Sequence, residues 1–379
     1  MTTKESQKTV CLMTIMSSEL LQALKQVSGA VEQSQVMQIL SHVLLQSDGQ
    51  RLSVLASNSE VEVETEAKLF SPSKTSFAIT VSCKKLVDIC RALPEGALIE
   101  FHESEQWIIV RSDDSQFRMA TLPADSFPKL PALQSGQKVV LAERDLKQAI
   151  EGSSFSMAYQ DARFFLNGML LSCEKDKISC VATDGHRLSW CRVLPNKSVT
   201  EQVQAIFPRK TVLELAKLLR PASDQEVTIT LGDQAVEIEA AHFSLKSNLI
   251  EGQYPKYRKL IPSSITDSAT VETKALKQSL DKVAILANEK FKGARFYFEN
   301  GALKIVSSNF DQEEAVSTMP IEYEGKQRSV AFNISYIFDV LNVLPNDTCL
   351  FQFSDSMQGV LIESPDSEFA SYVVMPLTL

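Results

Sequence analysis

No apolar run in the 379 residues approaches the ~20 needed for a membrane-spanning helix. Residues 1 to 17 also lack the continuous apolar core of a secretory signal. The chain is therefore expected in the cytoplasm. Its seven cysteines (11, 83, 90, 173, 180, 191, 349) are odd in number, include no C-x-x-C pair and mostly have apolar neighbours. Free buried thiols fit that usage better than a disulfide framework or a zinc site. Also missing are a glycine-rich phosphate loop, metal-ligand spacing and a nucleophile elbow, so no cofactor, metal ion or catalytic centre is expected. Positive charge is in deficit, with 38 Lys and Arg against 47 Asp and Glu for a net charge of −9. Taken alone, that deficit argues against a nucleic-acid partner.

What the chain does contain is a motif written three times. Phe117, Phe243 and Phe369 stand 126 residues apart, and Val110, Val236 and Ile362 precede them at the same lag. Leu20 matches Leu146, Leu40 matches Leu166, and Asp48-Gly49 returns two periods later as Asn300-Gly301. Leu-rich segments closing on Pro94, Pro221 and Pro345 recur as well. Each unit opens with an amphipathic helix pattern, Leu20 to Ser28, Leu146 to Ser153 and Leu276 to Ala287. Short period-two runs come next, such as Val61 to Glu64 and Val236 to Glu239, joined at Asp48-Gly49, Gly232-Asp233 and Asn300-Gly301 turns that suit tight hairpins. The pattern implies an α+β fold of three domains, each with two helices on antiparallel sheets. The expected boundaries are a tail at 1–10 and domains at 11–136, 137–264 and 265–379.

The charges are not spread evenly. Six expected helical windows, 18–28, 82–93, 143–154, 209–220, 273–284 and 333–344, carry 0, +2, −1, +3, +2 and −1. They sum to +5, which leaves −14 on the rest. This implies a basic helix side and an acidic strand side, although any solvated helix face also collects lysines. Helices packed ~9 Å apart set a scale for a closed ring: six leave a hole of only about 8 Å, whereas twelve leave about 24 Å. A B-form duplex roughly 20 Å across fits the second and not the first. Two three-unit chains joined head to tail would supply the twelve.

The most distinctive string is Val181-Ala182-Thr183-Asp184-Gly185-His186-Arg187-Leu188-Ser189. Asp184 and His186 could be tested as an acid-base pair beside Cys180 or Cys191. A strand ending in a turn at Gly185 explains the string without chemistry. The string does not stand alone, however. With FFLNGML at 164–170, QYPKYRKLIP at 253–262, ILANEKFKGARFYF at 285–298 and YVVMPLTL at 372–379, it closely resembles the bacterial DNA polymerase III beta subunits, the sliding clamps. The resemblance runs from about Cys11 to Leu379.

That resemblance implies a homodimeric ring of six domains with helices lining the pore. It would enclose duplex DNA without reading its sequence, have no catalysis of its own, tether polymerases and repair factors, and be opened by a separate ATP-driven loader. A repeat-built interaction scaffold that does not encircle DNA is the alternative. Family peptide-binding residues carry over onto Leu166, Thr183, Gly185, His186, Arg187 and Leu188, then Pro255, Lys259 and Leu260, then Tyr336, Val360, Val373, Met375, Pro376 and Leu377. Aliphatic walls with one thioether would accept a partner's leucine or phenylalanine. Val373, Met375 and Leu377 could instead merely finish the last sheet, but their place near residue 379 suggests exposure. DNA-facing residues carry over onto Lys84, Lys85, Arg209, Lys210 and the Tyr159-Gln160 turn, and Lys25, Arg91, Lys217 and Lys277 join them on charge. Cations and hydrogen-bond donors without base-edge readers suit a protein that slides. The subunit joint carries over onto Phe117, Ile285, Leu286, Glu313 and Glu314. Departures from the family pattern are Lys259, Thr378 and Ser34, where arginine is common, and Asp114 and Gln116, where basic residues are found.

Overall fold

The computed structural model describes residues 10–32, 37–73, 75–104, 106–199, 201–355, 358–365 and 367–378. The loop departure at Ser34 lies outside them. Repeat one runs β1 (Val10–Met16), α1 (Ser17–Val27), β2 (His42–Ser47), β3 (Leu52–Ser57), β4 (Val61–Ala67), β5 (Phe77–Ser82), α2 (Cys83–Ala92), β6 (Leu98–Ser104), β7 (Trp107–Ser112) and β8 (Ser115–Ala120). Repeat two keeps the same order: β9 (Gln137–Ala142), α3 (Glu143–Ser153), β10 (Gly168–Glu174), β11 (Lys177–Thr183), β12 (Arg187–Val193), β13 (Val203–Pro208), α4 (Arg209–Leu218), β14 (Glu226–Leu231), β15 (Ala235–Ala240) and β16 (Phe243–Asn248). Repeat three does so again: β17 (Ile265–Glu272), α5 (Thr273–Ala284), β18 (Gly293–Glu299), β19 (Ala302–Ser308), β20 (Glu314–Pro320), β21 (Arg328–Asn333), α6 (Ile334–Val343), β22 (Thr348–Ser354), β23 (Val360–Glu363) and β24 (Ala370–Val374).

The six helices of the described residues fall in the expected windows, because apolar residues three and four apart give each a buried stripe. Leu20, Ala23, Leu24 and Val27 are buried in α1, as are Leu276, Leu280 and Val283 in α5. The leading helix of every repeat starts straight off a strand, and its first N–H finds a backbone carbonyl rather than a side-chain cap. Ser17 N donates to Ala97 O at 2.8 Å, Glu143 N to Gln225 O at 2.8 Å, and Thr273 N to Asp347 O at 2.7 Å. In each repeat the acceptor immediately precedes the sixth strand, so one tertiary bond both satisfies an orphan donor and fixes the helix start. One boundary differs from expectation: α5 ends at Ala284, not Ala287. After Val283 the sequence Ala284-Ile285-Leu286-Ala287 is apolar on every side, so it has no helical stripe to bury, and Ile285 is 79% exposed.

The three turn dipeptides all join hairpins, though for different reasons. Gly49 and Gly301 adopt φ of 102° and 72°, which a side chain would strain. Gly232 has no positive φ. A Cβ there would stand 2.9 Å from the tip of the Leu133 side chain and 3.3 Å from Ala235 O, a close approach that a shift of the leucine would largely relieve.

Every strand pair among the described residues is antiparallel, and the sheets repeat one rule. Within a repeat the first, sixth, seventh and eighth strands form one group, and the fifth, second, third and fourth form another. The fourth strand of one repeat then pairs with the eighth of the next. β4 pairs with β16 through Ser244–Glu64 to Ser247–Val61, and β12 pairs with β24 through Arg187–Val374 to Cys191–Ala370. Two eight-stranded sheets result, β5-β2-β3-β4-β16-β15-β14-β9 and β13-β10-β11-β12-β24-β23-β22-β17. The groups β1-β6-β7-β8 and β20-β19-β18-β21 stay four-stranded.

By contact the chain divides into two compact units, each containing one eight-stranded and one four-stranded sheet. One comprises the described residues up to Glu143 with Lys217–Leu249, and the other comprises Arg144–Ala216 with those from Ile250 onward. The halves of repeat two fall in different units because its sheets are shared with its neighbours.

Candidate partner and nucleic-acid interfaces

The ATDGHR segment is the turn between β11 and β12. Asp184 Oδ1 accepts from His186 N at 2.9 Å and Arg187 N at 3.0 Å, while Thr183 Oγ1 donates to Arg187 O at 2.6 Å. Gly185 sits at the tip with φ of 88°. Arg187 is then held from all sides. Its Nε donates to Asp184 Oδ2 at 3.1 Å, Nη1 to Asp339 Oδ2 at 2.5 Å and Nη2 to Phe155 O at 2.6 Å. The guanidinium lies 4.3 Å from the Tyr336 ring centre. Arg187 and Tyr336 were both expected to line the partner pocket. Arg187 ties the turn to α6, with Tyr336 packed against it, and both stay partly exposed.

Beside this turn the shared sheet carries a compact apolar cluster. Leu166, Leu170, Val181, Leu188, Leu361 and Val373 are buried together under Tyr254 and Tyr257 of the segment after β16, with Phe165, Ile261 and Met375 packed at its margin. Thr183 N donates to Tyr254 Oη at 3.1 Å, and Met375 N donates to His186 O at 2.8 Å. Of the expected pocket residues, Leu166, Leu188 and Val373 thus form one floor with Met375 at its edge. Lys259 and Leu260 line an adjoining cavity of about 300 Å³ with Ser354 and Gly359. The exposure expected of Val373 is not found: it is fully buried, as β24 lies inside a sheet between β12 and β23. Val360 is likewise fully buried opposite Val374. Gly185 and His186 are exposed, Thr183 is buried, and Pro255, Pro376 and Leu377 are half-buried.

The turn is not built for acid-base or nucleophilic chemistry. Both Asp184 oxygens are already hydrogen-bonded. Burial pushes the Cys191 thiol up to about 12 and holds Cys180 well above its usual range, so neither supplies a thiolate near neutrality.

On the helices, Lys25, Lys84, Lys85, Arg91 and Lys217 are exposed and Lys210 and Lys277 half-buried. Lys25 and Arg91 line one groove between α1 and α2. Tyr159 is 73% exposed beside exposed Gln160. Arg209 is more constrained than expected: its Nη1 donates to Met157 O at 3.1 Å while its guanidinium faces the Tyr159 ring. Glu143 and Glu214, two acids in the helical charge count, are buried. The exposed helix surface is therefore more basic than the count implies.

Three of the expected joint residues lie at or beside two free strand edges, and the other two follow α5. Phe117 is half-buried in β8, while Glu313 and Glu314 are exposed where the chain enters β20. Ile285 is exposed and Leu286 half-buried after α5. Where basic residues were expected, Asp114 is exposed and Gln116 accepts from Arg111 Nε at 3.0 Å. Sequence reasoning missed Arg118, whose guanidinium stacks 4.1 Å from the Trp107 ring centre on the same edge, and half-exposed Val316 on β20. The Phe117 alignment could have pointed to Arg118, its immediate neighbour.

Three α+β repeats that share sheets, expose lysines on their helices and arrange no catalytic groups among the described residues define the sliding-clamp class. Profiles of the DNA polymerase III beta subunit match in order, with the N-terminal domain at residues 12–131, the central domain at 140–256 and the C-terminal domain at 258–378. The beta sliding clamps of Pseudomonas aeruginosa and Escherichia coli are each 37% identical over 366 residues, covering 97% of this chain and 99% of theirs. A crystal structure of the Pseudomonas aeruginosa sliding clamp bound to griselimycin superimposes with a TM-score of 0.93 at 37% identity, covering 97% of this chain and all of that one. The chain belongs to the DNA polymerase III beta subunit family, whose members are accessory processivity subunits rather than enzymes.

Proposed function

We propose that the protein is a DNA sliding clamp: two copies close head to tail around a duplex and hold polymerases on their template. One observation carries this reading. The rule that pairs a fourth strand with the next repeat's eighth strand is used twice within the chain, leaving β20 and β8 as the remaining fourth and eighth strands. A second copy completes the rule at two equivalent joints, giving six repeats and twelve helices. Period two then sets which side chains meet. Phe117 and Met119 share a layer with Ser317 and Met319, while Gln116 and Arg118 come beside Glu314 and Val316. Arg118 thus supplies a cation where Asp114 and Gln116 do not.

Processivity in this reading comes from topology. Lysines on the helices meet phosphates without reading bases, so each contact is weak and the ring slides. The apolar floor at Leu166, Leu188 and Val373, with Met375 and Leu260 at its margins, takes short partner peptides bearing leucine or phenylalanine. These come from polymerase subunits, repair factors and an ATP-driven loader that opens the ring, all in the cytoplasm. The griselimycin complex of the Pseudomonas aeruginosa relative favours a ligand site on this fold. The deciding experiment compares retention on nicked circular and linearised DNA after loading, at raised salt. A clamp stays on the circle and runs off the linear ends. Equal loss from both, or a monomeric mass by sedimentation, would sink the reading.

A further inference from the structure

Each repeat carries the same three-strand register, and two of the three copies are covered. Thr80, Leu44 and Leu55 stand side by side across β5, β2 and β3. Ile206, Leu170 and Val181 hold those places across β13, β10 and β11. Ala331, Arg295 and Val306 hold them across β21, β18 and β19.

The chain leaving each repeat starts along the same path. After β8, Leu122 N donates to Thr80 Oγ1 at 3.0 Å, and the segment goes on to place Phe127 against Leu44 and Leu55. After β16, Ile250 N donates to Ile206 O at 2.9 Å, and the segment places Tyr254 and Tyr257 in the cluster with Leu170 and Val181. After β24, Leu377 N donates to Ala331 O at 2.8 Å, matching the backbone bond of repeat two, whereas repeat one opens on the Thr80 side-chain hydroxyl at the same register place. The described residues beyond it do not line the Arg295–Val306 row. That place is a cavity of about 430 Å³, lined by Phe291, Arg295, Tyr297, Val306 and Phe310 among others. Phe310 is 82% exposed and Phe291 51%.

We propose that this cleft in repeat three docks an extended segment of another protein that carries an aromatic side chain with a carboxylate close by. The aromatic follows from what the chain itself puts in the two equivalent places. The extended backbone follows from the bond to the fifth strand with which both covering segments begin, to the Ile206 carbonyl in one and the Thr80 hydroxyl in the other. The carboxylate follows from the positive charge of the row: Arg295, which already has a partner within the chain, stands where the other repeats have leucine, and Lys304 is exposed with its ammonium 5.8 Å from the Tyr297 ring centre. Repeat one's own cover already has this composition, with Asp125 two residues before Phe127. A volume of this size suits one aromatic ring and its neighbours. The cleft shares no residue with the floor formed by Leu188 and Val373.

The probe is a fluorescent peptide reproducing residues 121–131, titrated by anisotropy with the full-length protein. Saturable binding is expected. Phe310→Ala in the protein, or alanine in place of phenylalanine in the peptide, should weaken it about tenfold or more, equal to ~1.4 kcal/mol. Phe310 is so exposed that its truncation leaves the fold intact, and Val306→Glu gives a second disruption within the row. Met375→Ala, which alters the separate apolar floor, should leave the affinity of this peptide for the repeat-three cleft unchanged. A flat titration to about 1 mM overturns the proposal, whether the cleft is closed by a second copy or simply binds nothing. Binding indifferent to Phe310→Ala, or lost with Met375→Ala, overturns it equally.

Discussion

The guanidinium of Arg187 spends its donors inside the protein, on Asp184, Asp339 and the Phe155 carbonyl. These bonds fix the turn whose His186 carbonyl accepts from Met375 N. Asp339, which does not line the apolar floor, becomes a positioning residue for peptide binding. Asp339→Asn should weaken a leucine- and phenylalanine-bearing peptide roughly fivefold, about 1 kcal/mol, because the Asp339 side chain is 39% exposed and solvent screens the pair. Fluorescence anisotropy with an unchanged circular dichroism spectrum checks this. Rescue by glutamate would separate charge from packing. The buried thiols give a second prediction at this scale. Burial raises Cys83 to about 11 and Cys90, Cys173, Cys191 and Cys349 to about 12, against an ordinary 9.0. Below pH 9 both folded and unfolded states keep these protons. As pH rises past 9 the unfolded thiols ionise first, so the native state holds more protons and loses stability. Urea unfolding at pH ~10.5 should show a clearly lower midpoint than at pH ~8, and serine at Cys349 should lessen the difference.

At the scale of elements, β20 and β8 are free edges whose unpaired backbone groups invite pairing, and Val316 is an apolar residue exposed on β20. Val316→Lys places an edge lysine on β20 without touching the core, and it should raise the dimer dissociation constant about tenfold, or ~1.4 kcal/mol, by sedimentation equilibrium. An unchanged constant would move the joint elsewhere. The helices and hairpins could be read from the sequence because their signals are local: the stripe of Leu276, Leu280 and Val283, and the glycines at 49 and 301. The sheets could not, since Ser244 reaching Glu64 or Arg187 reaching Val374 joins residues far apart in the chain. The candidate site was legible to the same extent. Leu188 and Met375 could be placed by resemblance, but Val373 looked exposed because the sequence does not show that β24 is roofed and flanked.

For the whole molecule, the sign of the net charge misleads and its distribution informs. Removing exposed lysines one by one should reveal how many meet phosphate. Lys84→Ala and Lys85→Ala together should lower the slope of log affinity against log salt by about 1.8, at roughly 0.9 per contact, and an unchanged slope would clear both of DNA contact. The sheet-sharing rule also makes the three joints unequal in one respect. Two of them have both halves on one covalent chain, so a strand that frays re-pairs at an effective concentration on the order of millimolar. The third, between copies, re-forms only at whatever concentration the copies reach. Dilution therefore acts only on the two equivalent seams between copies and leaves the joints within each chain closed.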